Sequence, residues 1–105
     1  MADIITNLAG VTFGNCQDYI LECRENGARY CTVNREPGNP YDANAVSIRV
    51  GGTIHLGYVP QALAASITKE IDSGKEFEAE IKSYNQINAF GPIGLTVRIF
   101  PRQIA

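Results

Sequence analysis

The feature that most constrains the fold is a series of short segments in which apolar and polar residues alternate. Neighbouring side chains on a strand point to opposite faces, so this period of two predicts strands with one buried face. We predict strands over residues 29–35, 45–50, 53–59, 76–84 and 94–100, and a first strand over 4–13 that bends at Gly10. Gly51 and Gly52 leave room only for a hairpin turn, which favours antiparallel pairing.

The alternation also predicts which side chains face the core. We expect the following residues to point inward: Val46, Ile48, Val50, Phe77, Ala79, Ile81, Leu95, Val97 and Ile99. Between them, Glu78, Glu80 and Lys82 are expected to point to solvent. Each predicted strand would then bury one face.

Two segments have helical signals. Pro60 is suited to the first turn of a helix over residues 60–74, where Leu63, Ile67 and Ile71 recur every four residues. A shorter helix is predicted over 15–26, with Asn15 as N-cap and Gly27 as C-cap. The expected fold is mainly β with one or two short helices, in which six strands form a small, curved and mostly antiparallel barrel.

Length and charge narrow the classes of protein. A chain of 105 residues supports one hydrophobic core, so we expect a single domain over residues 1–105. The net charge of -2 excludes a histone-like, strongly basic mode of nucleic-acid binding, although a small site for a strand end stays open. No apolar run suits a membrane span, and residues 1–10 do not resemble a signal peptide. We expect an intracellular protein, cytoplasmic if bacterial or phage and nuclear if eukaryotic.

Catalytic and metal signals are weak. Cys16, Cys23 and Cys31 are odd in number and lack the close pair typical of zinc sites, so we interpret them as reduced, buried thiols. His55 could complete a Cys3His zinc site or serve a metal-dependent hydrolase, but no motif around any serine or cysteine marks a nucleophile. We expect no enzyme activity, no cofactor and no bound metal, with His55 structural or at the surface.

The most informative segment is the turn over residues 35–45. Its prolines and its Asx residues, Asn39, Asp42 and Asn44, are consistent with a rigid turn and nothing more. The same turn also presents Tyr41 next to Asp42. An aromatic ring can stack on a base, and a carboxylate can accept a hydrogen bond from a sugar hydroxyl while repelling phosphate. The turn is therefore a candidate socket for a strand end that carries a free hydroxyl.

Two further segments add candidate contacts. Tyr58, either at the core edge or exposed, precedes the N-terminus of the second predicted helix, and a helix N-terminus suits phosphate. Residues 85–91 form a polar loop with one apolar side chain, Phe90, which would more often be tucked into a core.

At these residues the chain resembles the HIRAN domain family of repair ATPases. The matching pieces are Asn-Pro-Tyr-Asp-x-Asn-Ala at residues 39–45 and Gly-Tyr-x-Pro at 57–60, with further matches at 9–13, 35–37, 72–74 and 88–90. The resemblance implies a six-stranded, OB-like or SH3-like small barrel that holds a single-stranded DNA 3′ end in DNA repair or at stalled replication forks. An ATPase, a helicase or a nuclease would be a second partner.

The resemblance also implies roles for single residues. Tyr41 and Asp42 would contact the terminal nucleotide, with Asp42 meeting the 3′ hydroxyl. Tyr58 would stack on a base, and Phe90 would lie where strands part. The complete set of candidate nucleic-acid-binding residues is Tyr41, Asp42, Tyr58, Phe90, Asn39, Asn44 and Gln61.

Some positions depart from the family pattern. Residues 16–18 replace an Arg-Tyr-Tyr run, and Gln61 replaces a phosphate-binding lysine. Each lost cation weakens the affinity for the phosphate backbone. Arg24, Arg35 and Lys69 are the cations that could compensate. The alternative function is therefore a protein-interaction or self-association module on the same barrel, without DNA binding.

Overall fold

The computed structural model describes residues 3–102, which form six strands and two helices. In chain order they are β1 (Ile4–Asn7), α1 (Cys16–Asn26), β2 (Tyr30–Arg35), β3 (Val46–Val50), β4 (Ile54–Tyr58), α2 (Gln61–Asp72), β5 (Phe77–Asn85) and β6 (Gly94–Pro101). Five of these strands and both helices lie where the alternation and the capping residues predict them.

The six strands form one antiparallel sheet in the order β1-β6-β5-β2-β3-β4. Just beyond β1, Ala9 makes an isolated antiparallel bridge to Tyr58 at the end of β4, with N···O distances of 2.7 and 2.8 Å. This bridge joins the two outermost strands of the sheet and curls it into a half-barrel. The predicted mainly β, six-stranded antiparallel fold is confirmed.

The core lies inside the half-barrel and is covered by the helices. Each of the nine predicted inward side chains either is buried or packs against the core. From α1, Ile20 and Cys23 are buried, and from α2, Ala64 and Ile67 are buried. Gly27 caps α1 in the left-handed region with φ 74°, as predicted, whereas the Asn15 side chain makes no capping hydrogen bond.

The first strand is shorter than predicted. The interpretation of residues 4–13 as one strand is wrong beyond Asn7, where the chain leaves the ladder with β6. Gly10 adopts φ 66°, and its carbonyl accepts a hydrogen bond from the Phe13 amide, which makes a turn. Turn formation at the glycine therefore outweighs the strand tendency of the apolar residues after it.

The prediction that the Glu80 side chain points to solvent is only partly correct. Its side chain is on the outer face of β5 but is only 7% exposed, because charged neighbours cover it. Arg29 Nε lies 2.7 Å from one carboxylate oxygen and Arg98 Nε 3.2 Å from the other. The alternation predicted the correct face, but it does not predict burial by two arginine side chains, Arg98 of the adjacent strand β6 and Arg29 directly before β2.

A β-bulge in β4 decides which way Tyr58 points. Ile48 pairs with Gly57 and Arg49 pairs with His55, so Leu56 is the extra residue of the bulge. In a regular strand, His55 and Tyr58 would lie on opposite faces. The bulge places both on the face opposite the core, where their rings meet edge to face at 4.7 Å. Tyr58 is thereby available to a surface site.

The three cysteines are buried, as predicted, and none of them forms a disulfide with another described residue. Between residues 3 and 102, no three His, Cys, Asp or Glu side chains are grouped closely enough to hold a metal ion. Over the same residues, neither helix has the length and apolar character that crossing a membrane requires.

Candidate functional site

The turn between β2 and β3 is held in shape by its own polar residues. Asn39 Oδ1 accepts hydrogen bonds from the backbone amides of Tyr41 at 2.9 Å and Asp42 at 3.2 Å. Asp42 Oδ1 accepts one from the Asn44 amide at 2.9 Å. Asn and Asp favour such local bonds, so the turn is preorganised by its sequence. Its geometry leaves the Tyr41 side chain 90% exposed and that of Asp42 half-buried.

A groove of about 810 Å³ opens beside this turn. It runs between the turn, the segment after β1 and the start of α2. Of the candidate residues, it brings together Asn39, Tyr41, Asp42, Tyr58 and Gln61. Asn39, Tyr41 and Asp42 are neighbours in the turn, whereas Tyr58 and Gln61 come from the end of β4 and the start of α2. The Ala9–Tyr58 bridge at the groove brings the outermost strands together.

Two candidate residues lie outside the groove lining. Asn44 is exposed, and its carbonyl accepts a hydrogen bond from Thr68 Oγ1 at 3.0 Å, which ties the turn to α2. Phe90 is at the tip of the β5–β6 loop and is fully exposed, so it is not tucked into the core. The DNA contacts assigned to both residues stay predictions.

The loop that carries Phe90 is nevertheless fixed to the segment that lines the groove. The Gln17 side chain donates to the Val11 carbonyl at 2.8 Å and to the Ile93 carbonyl at 3.0 Å. It also accepts from the Ile93 amide at 2.7 Å. Gln17 therefore holds these two loops together.

Sequence reasoning gave no role to two residues of the lining, Phe13 and Glu36. Phe13 is 67% exposed and adds a third aromatic ring to those of Tyr41 and Tyr58. The strand prediction over residues 4–13 concealed it, because a residue inside a strand is not expected to project from a turn. For Glu36, the available signals were its place at the start of the turn segment and its match to the family pattern at residues 35–37.

Glu36 lies at the centre of a hydrogen-bond network. Its Oε1 accepts from Tyr58 Oη at 3.0 Å and from Asn39 Nδ2 at 3.2 Å. Its Oε2 pairs with Arg49 Nη2 at 2.9 Å. Burial raises the pKa of the Glu36 carboxyl, but hydrogen bonds from Arg49, Ser47, Asn39 and Tyr58 outweigh it and lower the pKa to about 2. Glu36 is thus a carboxylate at neutral pH.

The neighbouring rings respond to the same surroundings. Burial, and then the hydrogen bond to Glu36, raises the pKa of the Tyr58 phenol, so Tyr58 is a neutral donor. Burial, and then the Arg49 charge, lowers the pKa of His55, whose Nδ1 lies 3.8 Å from Cys16 Sγ. His55 is therefore neutral at pH 7 and packs behind Tyr58. Within residues 3–102 its Nε2 is buried and has no hydrogen-bond partner.

Among the residues between 3 and 102 that line the groove, there is no lysine or arginine. Throughout residues 3–102, every lysine and arginine except Arg24 and Lys69 is in a salt bridge. Arg35 pairs with Asp72 at 2.8 Å, and Arg24 donates to Gln86 at 3.1 Å. The lining is thus aromatic and apolar with two carboxylates, Glu36 and Asp42. It suits the neutral parts of a nucleotide, the base and the sugar, better than its phosphate.

Comparison with known proteins identifies the family. The family model described as HIRAN domain matches residues 6–98. The chain belongs to the HIRAN domain family. Over 88 residues it is 28% identical to a helicase-like transcription factor from Oryctolagus cuniculus, a match that covers 79% of this chain and 9% of that protein. The chain thus spans less than a tenth of the length of this relative.

Two solved structures share the HIRAN fold of the chain. A protein from Lactobacillus plantarum superposes with a TM-score of 0.74 at 18% identity, over 95% of this chain and 97% of that one. The HIRAN domain of human HLTF superposes with a TM-score of 0.68 at 15% identity, over 95% of this chain and 74% of that one. At these identities the likeness concerns the fold alone.

Proposed function

We propose that this HIRAN domain binds the 3′ end of single-stranded DNA in the groove beside the β2–β3 turn. The observation that carries the proposal is the arrangement of Phe13, Tyr41 and Tyr58 in one lining with Asp42. Exposed aromatic rings stack on bases without regard to sequence. A carboxylate beside them accepts a hydrogen bond from a terminal hydroxyl and repels a terminal phosphate.

Asp42 is suited to this role by its hydrogen bonds. One of its carboxylate oxygens holds the turn through the Asn44 amide. The other accepts no hydrogen bond from the described part of the chain, so it is available to a ligand. In this proposal Asp42 binds the 3′ hydroxyl while Tyr41 packs on the last base.

The first turn of α2 provides a place for the phosphate that precedes the terminal sugar. Gln61 begins the helix and lines the groove, and no side chain caps the helix N-terminus. Free backbone amides and the helix dipole favour an anion there. These amides attract a phosphate less strongly than a lysine side chain would. The terminal nucleoside therefore contributes most of the affinity.

Binding oligonucleotides of one sequence with different ends tests the proposal. A strand labelled at its 5′ end and carrying a free 3′ hydroxyl should bind with measurable affinity in fluorescence anisotropy at stated salt. The same strand with a 3′ phosphate should bind more weakly. Equally negligible affinity for both strands would contradict the proposal.

The proposed role is that of a binding module without catalytic activity, which places a strand end for DNA repair or replication-fork processing. Family membership and the aromatic groove support this role. Incubation of the labelled strand with the protein should leave its length unchanged on a denaturing gel. Shortening that depends on the protein would mean that the module is also an enzyme.

One observation favours a second candidate function, a protein-interaction or self-association module. Ile87 and Phe90 are both fully exposed on the β5–β6 loop, and the described residues of the groove lining include no lysine or arginine. Exposed apolar side chains of this kind are common at protein interfaces. Light scattering separates the two functions: a salt-insensitive dimer that binds no oligonucleotide would favour the second.

A further inference from the structure

We propose that Glu36 is the positioning residue of the groove and sets its preference for an uncharged strand end. It does so by fixing both walls of the groove and by keeping the Arg49 guanidinium in an internal ion pair. This inference rests on the proposed function and adds a source of specificity to it.

The first step of the argument is that Glu36 joins the two walls. On one side its Oε1 accepts from Asn39 Nδ2 at 3.2 Å, and Asn39 in turn orders the amides of Tyr41 and Asp42. On the other side the same oxygen accepts from the Tyr58 hydroxyl at 3.0 Å. One carboxylate oxygen thus fixes the turn and the ring that faces it.

The second step concerns the cation behind the lining. Arg49 is on β3 and does not line the groove, whereas Glu36 does. The Nη2 atom of Arg49 lies 2.9 Å from Glu36 Oε2. Its Nε donates to Ser47 Oγ at 3.0 Å, so the side chain is held on the face that also carries Tyr58. With Glu36 ionised, the pair is neutral, and the guanidinium is occupied by its partner.

The third step is what a neutral side chain at this position would change. Gln can still accept a hydrogen bond from Tyr58, but it cannot compensate the Arg49 charge. The guanidinium would then be an uncompensated positive charge directly behind the groove, where it attracts phosphate. The carboxylate at position 36 therefore excludes terminal phosphate in two ways, by its own charge and by occupying Arg49.

The test compares the wild-type protein with Glu36→Gln, using the strand with a 3′ hydroxyl and the strand with a 3′ phosphate. We expect Glu36→Gln to bind the hydroxyl end about fivefold more weakly and the phosphate end about fivefold more tightly. In the double variant Glu36→Gln, Arg49→Gln, the increase in affinity for the strand with a 3′ phosphate should disappear. Glu76→Gln is the matched control, since Glu76 pairs with Arg102 away from the groove and should change neither affinity.

A merely structural role would reduce both affinities by the same factor, and that result would overturn the proposal. So would a gain for phosphate that persists without Arg49. If Glu36→Gln does not fold, Tyr58→Phe replaces it. That variant keeps the Glu36–Arg49 pair, so we expect weaker binding of the hydroxyl end with no gain for phosphate; a gain would contradict the inference.

A readout without DNA separates this inference from the proposed function. If the wild-type protein binds neither strand, the proposed function fails, while the positioning role is still measured by ¹³C NMR of the tyrosine rings. Burial and the hydrogen bond to Glu36 raise the pKa of Tyr58. In Glu36→Gln that pKa should fall towards its ordinary value, and an unchanged pKa would overturn the positioning role.

Discussion

At the scale of the residue, some polar side chains of the groove form hydrogen bonds that maintain its shape, and others are free to contact a ligand. Asn39 has both ends of its amide engaged within the protein, by the Tyr41 amide and by Glu36. Asp42 uses one oxygen for the turn, and Tyr41 makes no comparable contact through its ring. Side-chain changes at Tyr41 and Asp42 should therefore affect binding more than folding.

The Tyr41 ring is expected to provide stacking energy. Replacing it in Tyr41→Ala should weaken binding of the 3′ hydroxyl strand by about 1–3 kcal/mol, because one base loses its aromatic partner. Fluorescence anisotropy measures the change. Tyr30→Ala is the control, because Tyr30 is a 61% exposed tyrosine outside the groove. An equal loss in both variants would argue against stacking at Tyr41.

The Asp42 carboxylate is expected to distinguish the two kinds of strand end. Asp42→Asn keeps an oxygen for the Asn44 amide but removes the negative charge. The ratio of affinities for hydroxyl and phosphate ends should then fall by about fivefold to tenfold. Asp18→Asn, on the exposed side of α1, should leave the ratio at the wild-type value. A ratio unchanged by Asp42→Asn would remove the assigned role.

Site residues could be predicted from the sequence where they are neighbours in the chain. Tyr41, Asp42 and Asn39 are neighbours in the chain, and their turn could be predicted from their Asx and proline residues. Phe13 could not be assigned in this way, because its proximity to Tyr41 and Tyr58 exists only after the sheet has curled. Glu36 is close to Tyr41 in the chain, but its hydrogen bond with Tyr58 depends on the pairing of β2, β3 and β4. The ion pair between Glu36 and Arg49 likewise spans two strands.

At the scale of the element, the bulge in β4 explains the main ambiguity of the sequence. Strict alternation puts Tyr58 on the same face as Leu56, which is buried. One extra residue at Leu56 reverses the direction of all later side chains, so Tyr58 points away from the core. Gly57 is a local sign of an irregularity in this strand, but the position of the extra residue depends on the pairing with β3.

Gly57 should be sensitive to any added side chain. A Cβ there would lie 2.9 Å from the Ala9 carbonyl oxygen and 3.2 Å from Val11 Cγ1. Gly57→Ala should destabilise the protein by about 1–3 kcal/mol, because the backbone after β1 must move away from β4. Urea denaturation measures the loss. Gly38→Ala, where the added Cβ meets no atom within 4 Å, is the control and should have a smaller effect.

At the scale of the whole molecule, the charges are largely paired within the protein, which predicts a weak dependence of binding on salt. Because the groove lining contains no lysine or arginine within the described part of the chain, we expect the strand to engage one or two phosphates at most. The slope of log K against log salt should then be no steeper than about -1.4, at about -0.7 per phosphate. A titration series at several salt concentrations measures it. A slope near -3 would mean that cations outside the groove dominate the affinity.

Stability should fall at acidic pH in two steps. The pKa of His55 is lowered in the folded protein, so its contribution is present above pH 6.5 and is lost as the pH falls below that value. The pKa of Glu36 is lowered from 4.5 to about 2, so its contribution is lost between those values. Partial exposure limits the second loss to about 1–2 kcal/mol.

Chemical denaturation at several pH values tests the second step. Wild type should lose its advantage over Glu36→Gln as the pH falls from 4.5 towards 2, because the protonated carboxyl no longer pairs with Arg49. A difference between the two proteins that stays constant over this range would show that the ionised carboxyl adds no stability.

The Ala9–Tyr58 bridge has a consequence for how chain length can vary. A residue inserted or deleted after Phe13 would be absorbed by the turn that leads into α1. The same change between Asn7 and Ala9 would shift the register of this segment relative to β4 and would narrow or widen the groove. Natural or engineered indels should therefore be tolerated unequally on the two sides of Gly10, and a linker library across residues 7–15 would map that boundary.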